Sequence, residues 1–185
     1  MKHLSETFLH REVLTRGKLL HVYRDSVLLA DGSESIREWI DHPGAAAIVP
    51  FFEDGTTLLI HQFRYPTQRV FIELPAGKRD HPDEAFLDTA KRELAEETGF
   101  EANLWHELGS CFPGIGYSNE EIYFFLARDL FPTTIQAVVG EFVAPFRLPF
   151  PKAVQMAKSG ELKDAKTAFG LILAANFLRE NGIKL

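Results

Sequence analysis

The stretch Gly77–Phe100 reads GKRDHPDEAFLDTAKRELAEETGF and contains the most specific pattern in the chain. Its apolar residues recur at helical spacing, while Pro82 near the start and Gly99 near the end are typical of helix boundaries. We therefore predict a helix over Pro82–Thr98. Acidic residues suit the positive end of a helix dipole, so Glu84 is expected to cap this helix.

Three carboxylates converge near the end of the predicted helix. On an ideal helix at ~100° per residue, Glu97 lies ~40° from Glu93, and Glu96 lies ~60° away on the other side. Like charges at this spacing repel each other, and carboxylates near a helix C-terminus oppose the dipole. One explanation is an acidic surface patch, and the other is a site for a hard divalent cation such as Mg²⁺. Arg92 stands where a fixed cation would orient or offset these carboxylates.

The composition limits the classes of protein. The chain has 185 residues, of which 45% are hydrophobic, so it can build a real core. The net charge of −6 without a Lys/Arg-rich stretch argues against a nucleic-acid partner. No apolar run reaches the ~18–20 residues that span a membrane. Charged residues interrupt the N-terminal sequence and Cys111 is the single cysteine, so we expect a cytoplasmic protein without a signal peptide.

The predicted elements occur in the order strands, helix, strands, helices. This order favours an α+β sandwich over a doubly wound fold. A turn at Glu53–Gly55 is expected to join two of the strands. The predicted strands are Leu19–Leu29, Ser35–Ile40, Ala45–Phe52, Thr57–Phe63, Val70–Leu74, Leu104–Phe112, Glu121–Leu126 and Ile135–Leu148, and the later helices are Pro151–Lys158 and Asp164–Glu180.

The stretch that begins at Gly77 resembles the Nudix box, GX5EX7REUXEEXGU, in which U is a bulky apolar residue. Every position from Glu84 to Phe100 matches the motif. One departure precedes them, because six residues instead of five separate Gly77 from Glu84. We expect this insertion to leave the metal-binding face intact and to alter the course of the loop at residues 78–83.

Further segments resemble the ADP-ribose pyrophosphatase branch of the Nudix family. The resemblance extends from about Leu19 to the C-terminus, and the shared order of the segments is more specific than any one of them. Glu73–Gly77 also combines a rigid proline with a glycine that allows close backbone approach. The segments are His42–Ala45, Gln62–Pro66, Glu73–Gly77, Pro113–Glu120 and Ser159–Thr167.

The resemblance implies a Nudix α/β/α sandwich with a mixed β-sheet. Residues 44–185 would form the Nudix hydrolase domain. Residues 1–43 would form an N-terminal strand region that crosses to a second subunit, and so a homodimer. The implied reaction is the hydrolysis of ADP-ribose to AMP and ribose 5-phosphate with Mg²⁺ or Mn²⁺. The alternatives are GDP-mannose or another nucleoside diphosphate derivative as substrate, and a sensor that binds a nucleotide without turnover.

The resemblance also implies roles for particular residues. Glu93 and Glu97 would bind the metal directly, with help from Glu96 and the carbonyl of Ala76. Glu96 and Arg92 would also belong to the catalytic group. The substrate-binding residues would be Arg64 near the diphosphate or the distal ribose, Arg37 and Glu38 near the nucleoside, and Gly116. A surface charge on an edge strand is the alternative for Arg64, and a solvated strand for Arg37 and Glu38.

The resemblance to the ADP-ribose pyrophosphatase branch further implies that the general base lies on a loop after the central strands, in an acid-rich segment. In this chain that segment is Gln136–Ala144, and Glu141 is its only carboxylate. Glu141 is therefore the predicted base that accepts a proton from the attacking water. Glu120 or Glu121, in the segment that follows Gly116, is the alternative.

Overall fold

The computed structural model describes residues 4–133 and 142–183. These residues contain ten strands, three α-helices and a short 3₁₀ turn at Tyr65–Thr67. The strands are β1 Thr7–Arg16, β2 His21–Leu28, β3 Glu34–Asp41, β4 Ala45–Pro50, β5 Thr56–Arg64, β6 Arg69–Glu73, β7 Ala76–Lys78, β8 Phe100–Cys111, β9 Ile122–Pro132 and β10 Val143–Pro149. The helices are α1 Phe86–Thr98, α2 Phe150–Ser159 and α3 Ala165–Glu180.

The chain divides into two compact units. The first comprises Met1–Gly44 and Phe112–Glu121, and the second comprises Ala45–Cys111 and Ile122–Leu185. In the first unit, β1, β2 and β3 form an antiparallel sheet. β1 is exposed along its whole length, whereas alternate residues of β2 are buried.

The second unit contains two sheets. One has the strand order β7-β4-β9-β8, in which β4 and β9 are parallel and the other pairs are antiparallel. The other has the order β10-β5-β6 and is antiparallel throughout. Mixed sheets with three helices confirm the α+β prediction. None of these described helices is long and apolar enough to cross a membrane.

Helices cover both faces of the mixed sheet. β4 is buried on both sides, as expected for a central strand with an uninterrupted apolar sequence. Ala46 and Ile48 pack with α1, in a cluster that includes Leu94. Ala45 and Ala47 belong to a cluster with α3. Alternate residues of β4 therefore face different helices, which is the arrangement of an α/β/α sandwich.

The predicted start of α1 is wrong. The helix begins at Phe86, and Ala85 before it has extended backbone angles. Glu84 therefore does not cap the helix. Its carboxylate accepts hydrogen bonds from the backbone N–H of Asp80 at 2.6 Å and from Nε of Arg92 at 3.3 Å. These contacts hold the residues before α1 in a loop.

Other boundaries differ because sheet pairing is not local. The strand β1 was not predicted, and β8 and β9 are longer than expected. The turn at Glu53–Gly55 joins β4 to β5, but these strands lie in different sheets and share one isolated bridge, Phe51 to Thr57. The strand predicted at Ile135–Leu148 is observed as β10, and residues 134–141 lie outside the described part of the chain.

Candidate active site

One cavity of the second unit collects most of the predicted site residues. Its volume is about 410 Å³, and it lies among β5, β7 and α1. More of its lining surface is polar than apolar. The residues that line it are Gln62, Arg64, Ala76, Gly77, Lys78, Asp80, Arg92, Glu93, Glu96 and Glu97.

The carboxylates of α1 differ in exposure. Glu93 and Glu97 are buried, at 7% and 6% relative exposure. The side chain of Glu96 is more open, at 22%. A buried carboxylate is costly unless it has partners, and the backbone N–H of Ala76 donates to Oε2 of Glu97 at 2.9 Å. Strand β7 and helix α1 are thus joined directly beside the cavity.

Arg92 connects three of the acidic residues. Its Nη1 lies 2.6 Å from Oε1 of Glu93 and 3.3 Å from Oε2 of Glu96, and its Nε lies 3.3 Å from Oε1 of Glu84. Burial disfavours its charge, but coulombic attraction and hydrogen bonds, above all from Glu93, place its pKa above the ordinary value. Arg92 therefore orients these carboxylates and offsets their mutual repulsion.

The loop before α1 accommodates the additional residue. Nη2 of Arg92 donates to the carbonyl of Lys78 at 3.1 Å, and the carboxylate of Glu84 holds the N–H of Asp80. The guanidinium of Arg79 lies 4.5 Å from the ring centroid of Phe86. These contacts fix both ends of the loop, while Glu93, Glu96 and Glu97 still line one cavity.

Arg64 is held by Glu73, which was not among the predicted site residues. Its Nε and Nη2 donate to the two carboxylate oxygens of Glu73 at 2.8 and 2.7 Å. Glu73 is 2% exposed and also accepts a hydrogen bond from Lys166. Burial would raise the pKa of Glu73, but the bonds and charges of Arg64 and Lys166 hold it below the ordinary value. A single acidic residue within the predicted apolar strand Val70–Leu74 is the sequence feature that could have identified Glu73.

Gln62 is a second lining residue without a predicted role. It precedes Arg64 by two positions on β5, so both side chains lie on the same face of the strand. Its Oε1 is buried and, within the described residues, makes no hydrogen bond. A buried acceptor that lines a polar cavity is suited to a hydroxyl group or a water molecule.

Three predicted substrate-binding residues are not among those that line this cavity. Arg37, Glu38 and Gly116 belong to the first unit. Nε of Arg37 donates to Glu6 at 3.0 Å, and Glu38 accepts from Arg24 at 2.9 Å.

Two of the three candidates for the general base, Glu120 and Glu121, are described, and neither is among the residues that line the cavity. Glu120, in the first unit, has its Oε1 3.7 Å from Nε2 of His42. Glu121 belongs to the same unit and is half-buried. Glu141 lies outside the described residues.

The donor set of the cavity suits a hard cation. Within residues 4–133 and 142–183, no three His, Cys, Asp or Glu side chains form a ready-made metal-binding group. Mg²⁺ does not require one, because it is commonly held by one or two carboxylates together with water and substrate phosphates. Glu93 and Glu97 offer buried carboxylate oxygens on one side of the cavity, so the residues present fit such an ion.

Comparison with known proteins identifies the class to which this fold and acidic cavity belong. The model of the NUDIX domain matches residues 41–168. ADP-ribose pyrophosphatase of Bacillus subtilis (strain 168) is 34% identical over 173 residues, which cover 92% of this chain and 93% of the relative. The chain therefore belongs to the Nudix hydrolase family.

Three further proteins are similar to this chain. The methanol dehydrogenase activator of Bacillus methanolicus is 30% identical, covering 96% of this chain and 95% of the relative. GDP-mannose pyrophosphatase of Yersinia enterocolitica is 33% identical, covering 80% and 83%. A crystal structure of an ADP compounds hydrolase superposes with a TM-score of 0.83 at 23% identity and covers 96% of both chains. That likeness confirms the Nudix fold.

Proposed function

We propose that this protein hydrolyses the pyrophosphate of a nucleoside diphosphate sugar, with ADP-ribose as the substrate. One observation carries the proposal: the buried carboxylates Glu93 and Glu97 line the same cavity as the cation of Arg64. A metal site beside a fixed guanidinium is suited to a diphosphate, which needs its negative charge neutralised. The products would be AMP and ribose 5-phosphate.

Similarity to named enzymes supports this class of substrate. The Bacillus subtilis relative is an ADP-ribose pyrophosphatase, and the Yersinia relative is a GDP-mannose pyrophosphatase. GDP-mannose is therefore the second candidate substrate. The higher identity and coverage of the Bacillus subtilis enzyme favour ADP-ribose.

Five residues of the cavity would form and support the metal site in the proposed mechanism. Glu93 and Glu97, with the Ala76 carbonyl and help from Glu96, would hold Mg²⁺, or Mn²⁺ in its place. The bound ion would supply charge neutralisation at phosphoryl oxygens and activation of a water molecule. Arg92 keeps Glu93 and Glu96 oriented through its hydrogen bonds.

The proposed mechanism also requires a group that binds the diphosphate and a base that accepts the proton of the attacking water. Arg64 uses two N–H groups on Glu73, and its other donors would bind the diphosphate. Glu141 is our proposed base for the proton of the attacking water, with Glu120 or Glu121 as the alternative.

The first unit supplies the basis for a proposed homodimer. Strand β1 carries apolar side chains that are exposed in the single chain, including Phe8 at 56% and Val13 at 45%. Exposed apolar residues along an edge strand are typical of a surface that pairs with another chain. We propose that residues 1–43 cross to a second subunit, where Arg37 and Glu38 contribute to the nucleoside side, and that Gly116 also binds the substrate. The acidic balance, the single cysteine and the absence of a spanning helix among the described residues support a cytoplasmic protein that acts on a small molecule, without nucleic-acid or membrane partners.

A substrate panel tests the proposal. The purified protein is incubated with Mg²⁺ and ADP-ribose, GDP-mannose, a dinucleoside polyphosphate or an oxidised nucleoside triphosphate, and the phosphate products are separated. ADP-ribose should have the highest kcat/KM. Faster cleavage of GDP-mannose would make that sugar nucleotide the substrate. Tight calorimetric binding of ADP-ribose without AMP release over hours would identify a sensor instead.

A further inference from the structure

Glu73 connects the cavity to the start of helix α3. Its carboxylate is 2% exposed, and both oxygens receive hydrogen bonds from Arg64. This bidentate geometry fixes the plane of the guanidinium and leaves its other donors available to an anion. Arg64 lines the cavity and Glu73 does not, so the direct route from Glu73 to a ligand runs through Arg64.

Lys166 is the second cation on Glu73. Its Nζ donates to Oε2 of Glu73 and also lies 2.8 Å from Oδ2 of Asp164. Asp164 caps α3 by accepting the N–H of Thr167 at 3.1 Å. The hydroxyl of Thr167 in turn accepts the N–H of Leu74 at 2.7 Å. Arg64 of β5 and Lys166 in the first turn of α3 therefore hold the carboxylate of Glu73 from two sides, and the bond from Leu74 to Thr167 ties the end of β6 to the same turn.

A buried carboxylate that joins a strand to a helix carries a large desolvation cost. Replacing a buried ion pair with apolar residues is often neutral or stabilising, so stability alone does not explain this cluster. Arg64 also has a competing partner. Glu97 lines the same cavity as Arg64. The hydrogen bond to Glu73 is the main cause of the raised pKa of Arg64, burial opposes it, and the charges of Glu73, Glu97 and Asp164 raise it further.

We infer that Glu73 is a positioning residue that directs Arg64 toward the diphosphate and keeps it away from the metal-binding carboxylates. Lys166 holds Glu73 in the orientation that this requires. This inference rests on the proposed function of the cavity. Without Glu73, the guanidinium would pair with Glu97, so Arg64 would be lost to the substrate and would compete with the divalent cation.

A double-mutant cycle tests this role. The cycle compares KM, kcat and the affinity for Mn²⁺ alone among the wild type, Glu73→Gln, Arg64→Ala and the double variant. The affinity for Mn²⁺ is measured from the electron paramagnetic resonance signal of the free ion. Glu73→Gln should raise KM about tenfold, the scale of a coupling within one hydrogen-bonded network, and should weaken Mn²⁺ binding. In the Arg64→Ala background, the same change should alter neither quantity further.

The control variant breaks a comparable ion pair elsewhere. Arg11 and Asp25 of the first unit also form a bidentate pair, with N–O distances of 2.8 and 2.7 Å, around a buried carboxylate. Asp25→Asn should lower the unfolding temperature and leave Mn²⁺ affinity unchanged. An equal loss of Mn²⁺ affinity in this variant would mean that Glu73→Gln acts through general destabilisation, which would overturn the inference.

Other outcomes separate this inference from the proposed function. Equal losses from Glu73→Gln with and without Arg64 would overturn the positioning role while ADP-ribose hydrolysis stands. If the wild type cleaves no nucleoside diphosphate, the proposed function fails, and the cycle in Mn²⁺ affinity still decides the relationship of Glu73 to Arg64. Should Glu73→Gln fail to fold, Glu73→Asp keeps the charge on a shorter side chain. Its smaller loss of Mn²⁺ affinity should likewise disappear in the Arg64→Ala background.

Discussion

The carboxylate of Glu93 occupies the space in which a side chain at Gly77 would begin. A Cβ atom added to Gly77 would lie 2.0 Å from Oε1 of Glu93 and 2.1 Å from its Cδ. Gly77 is not among the residues with positive φ, so backbone conformation does not require a glycine at this position. The requirement comes from the close approach of β7 to the buried carboxylate on α1.

Gly77→Ala should displace Glu93 and lower kcat/KM by roughly 100-fold, the cost of a displacement of about 1 Å at a reacting centre. The fold should tolerate the change better than the site does, because a charged side chain at the rim of a cavity can move. Steady-state kinetics and thermal unfolding measure the two effects.

The control for this prediction is Gly170→Ala in α3. Its added Cβ would lie 2.6 Å from Cδ1 of Leu74 and 2.9 Å from Cδ1 of Phe124, both of which are fully buried. This variant should lose stability, since an overpacked core costs about 1–3 kcal/mol. Near-normal kcat/KM in Gly77→Ala would show that Glu93 is not needed in its observed position.

Glu97→Gln should reduce turnover by more than about 100-fold. Loss of a residue that only supports a metal ligand lowers activity by up to about 100-fold, and loss of a ligand itself should have a larger effect. The amide keeps an oxygen that can accept the N–H of Ala76, and one of three repelling carboxylates becomes neutral, so stability should change little. Activity is measured over a Mg²⁺ titration, together with thermal unfolding. Near-normal turnover at saturating Mg²⁺ would remove Glu97 from the metal site.

The general base is tested by two matched substitutions, Glu141→Gln and Glu120→Gln. Loss of the base should depress kcat more than it weakens substrate binding, because the proton is transferred in the transition state. Glu141→Gln should therefore show the larger drop in kcat, with a nearly constant KM. A larger effect of Glu120→Gln would assign the base to the first unit.

The parts of the fold that were predicted correctly depend on local chemistry. Gly99 ends α1 with a left-handed φ of 74°, and its N–H donates to the carbonyl of Ala95 at 3.0 Å. Asp164 caps α3, which begins at the next residue. Both boundaries follow from the conformational freedom of glycine and the hydrogen bonding of a short acidic side chain. The spacing of Glu93, Glu96 and Glu97 likewise placed them on one side of α1, since helix geometry is local.

The parts that were missed depend on side-chain contacts that helix periodicity and capping signals do not encode. The start of α1 is set by Arg92 of the helix and Asp80 of the loop, both of which bind Glu84. The pairing of Glu73 with Lys166 joins positions that are 93 residues apart. No local pattern reveals such partners. An acid in an apolar strand only indicates that a buried cation must be nearby.

The proposed dimer is tested at strand β1. Phe8→Asp combined with Val13→Asp should shift the protein from dimer to monomer in analytical ultracentrifugation, because two charges would enter an apolar interface. Leu104→Asp, at an exposed position of β8 in the second unit, is the control and should leave the mass unchanged. A wild type that sediments as a monomer, or a double variant that remains a dimer, would contradict the assignment of β1 to the interface.

Stability in acid should report the charge of Glu73. Its folded-state pKa lies below the ordinary value, because the pairing with Arg64 and Lys166 outweighs the effect of burial. The stabilisation by this carboxylate is therefore fully present above the ordinary pKa of about 4.3, and it is lost as the pH falls through the lower folded-state value. Protonation of Glu73 would leave the guanidinium of Arg64 without this counterion, as the substitution Glu73→Gln does. The unfolding free energy of the metal-free wild type should exceed that of Glu73→Gln at pH 7, and the difference should shrink as the pH is lowered below about 4. Denaturant unfolding from pH 7 to pH 3 measures both curves, and a constant difference would show that Glu73 does not stabilise the fold through its charge.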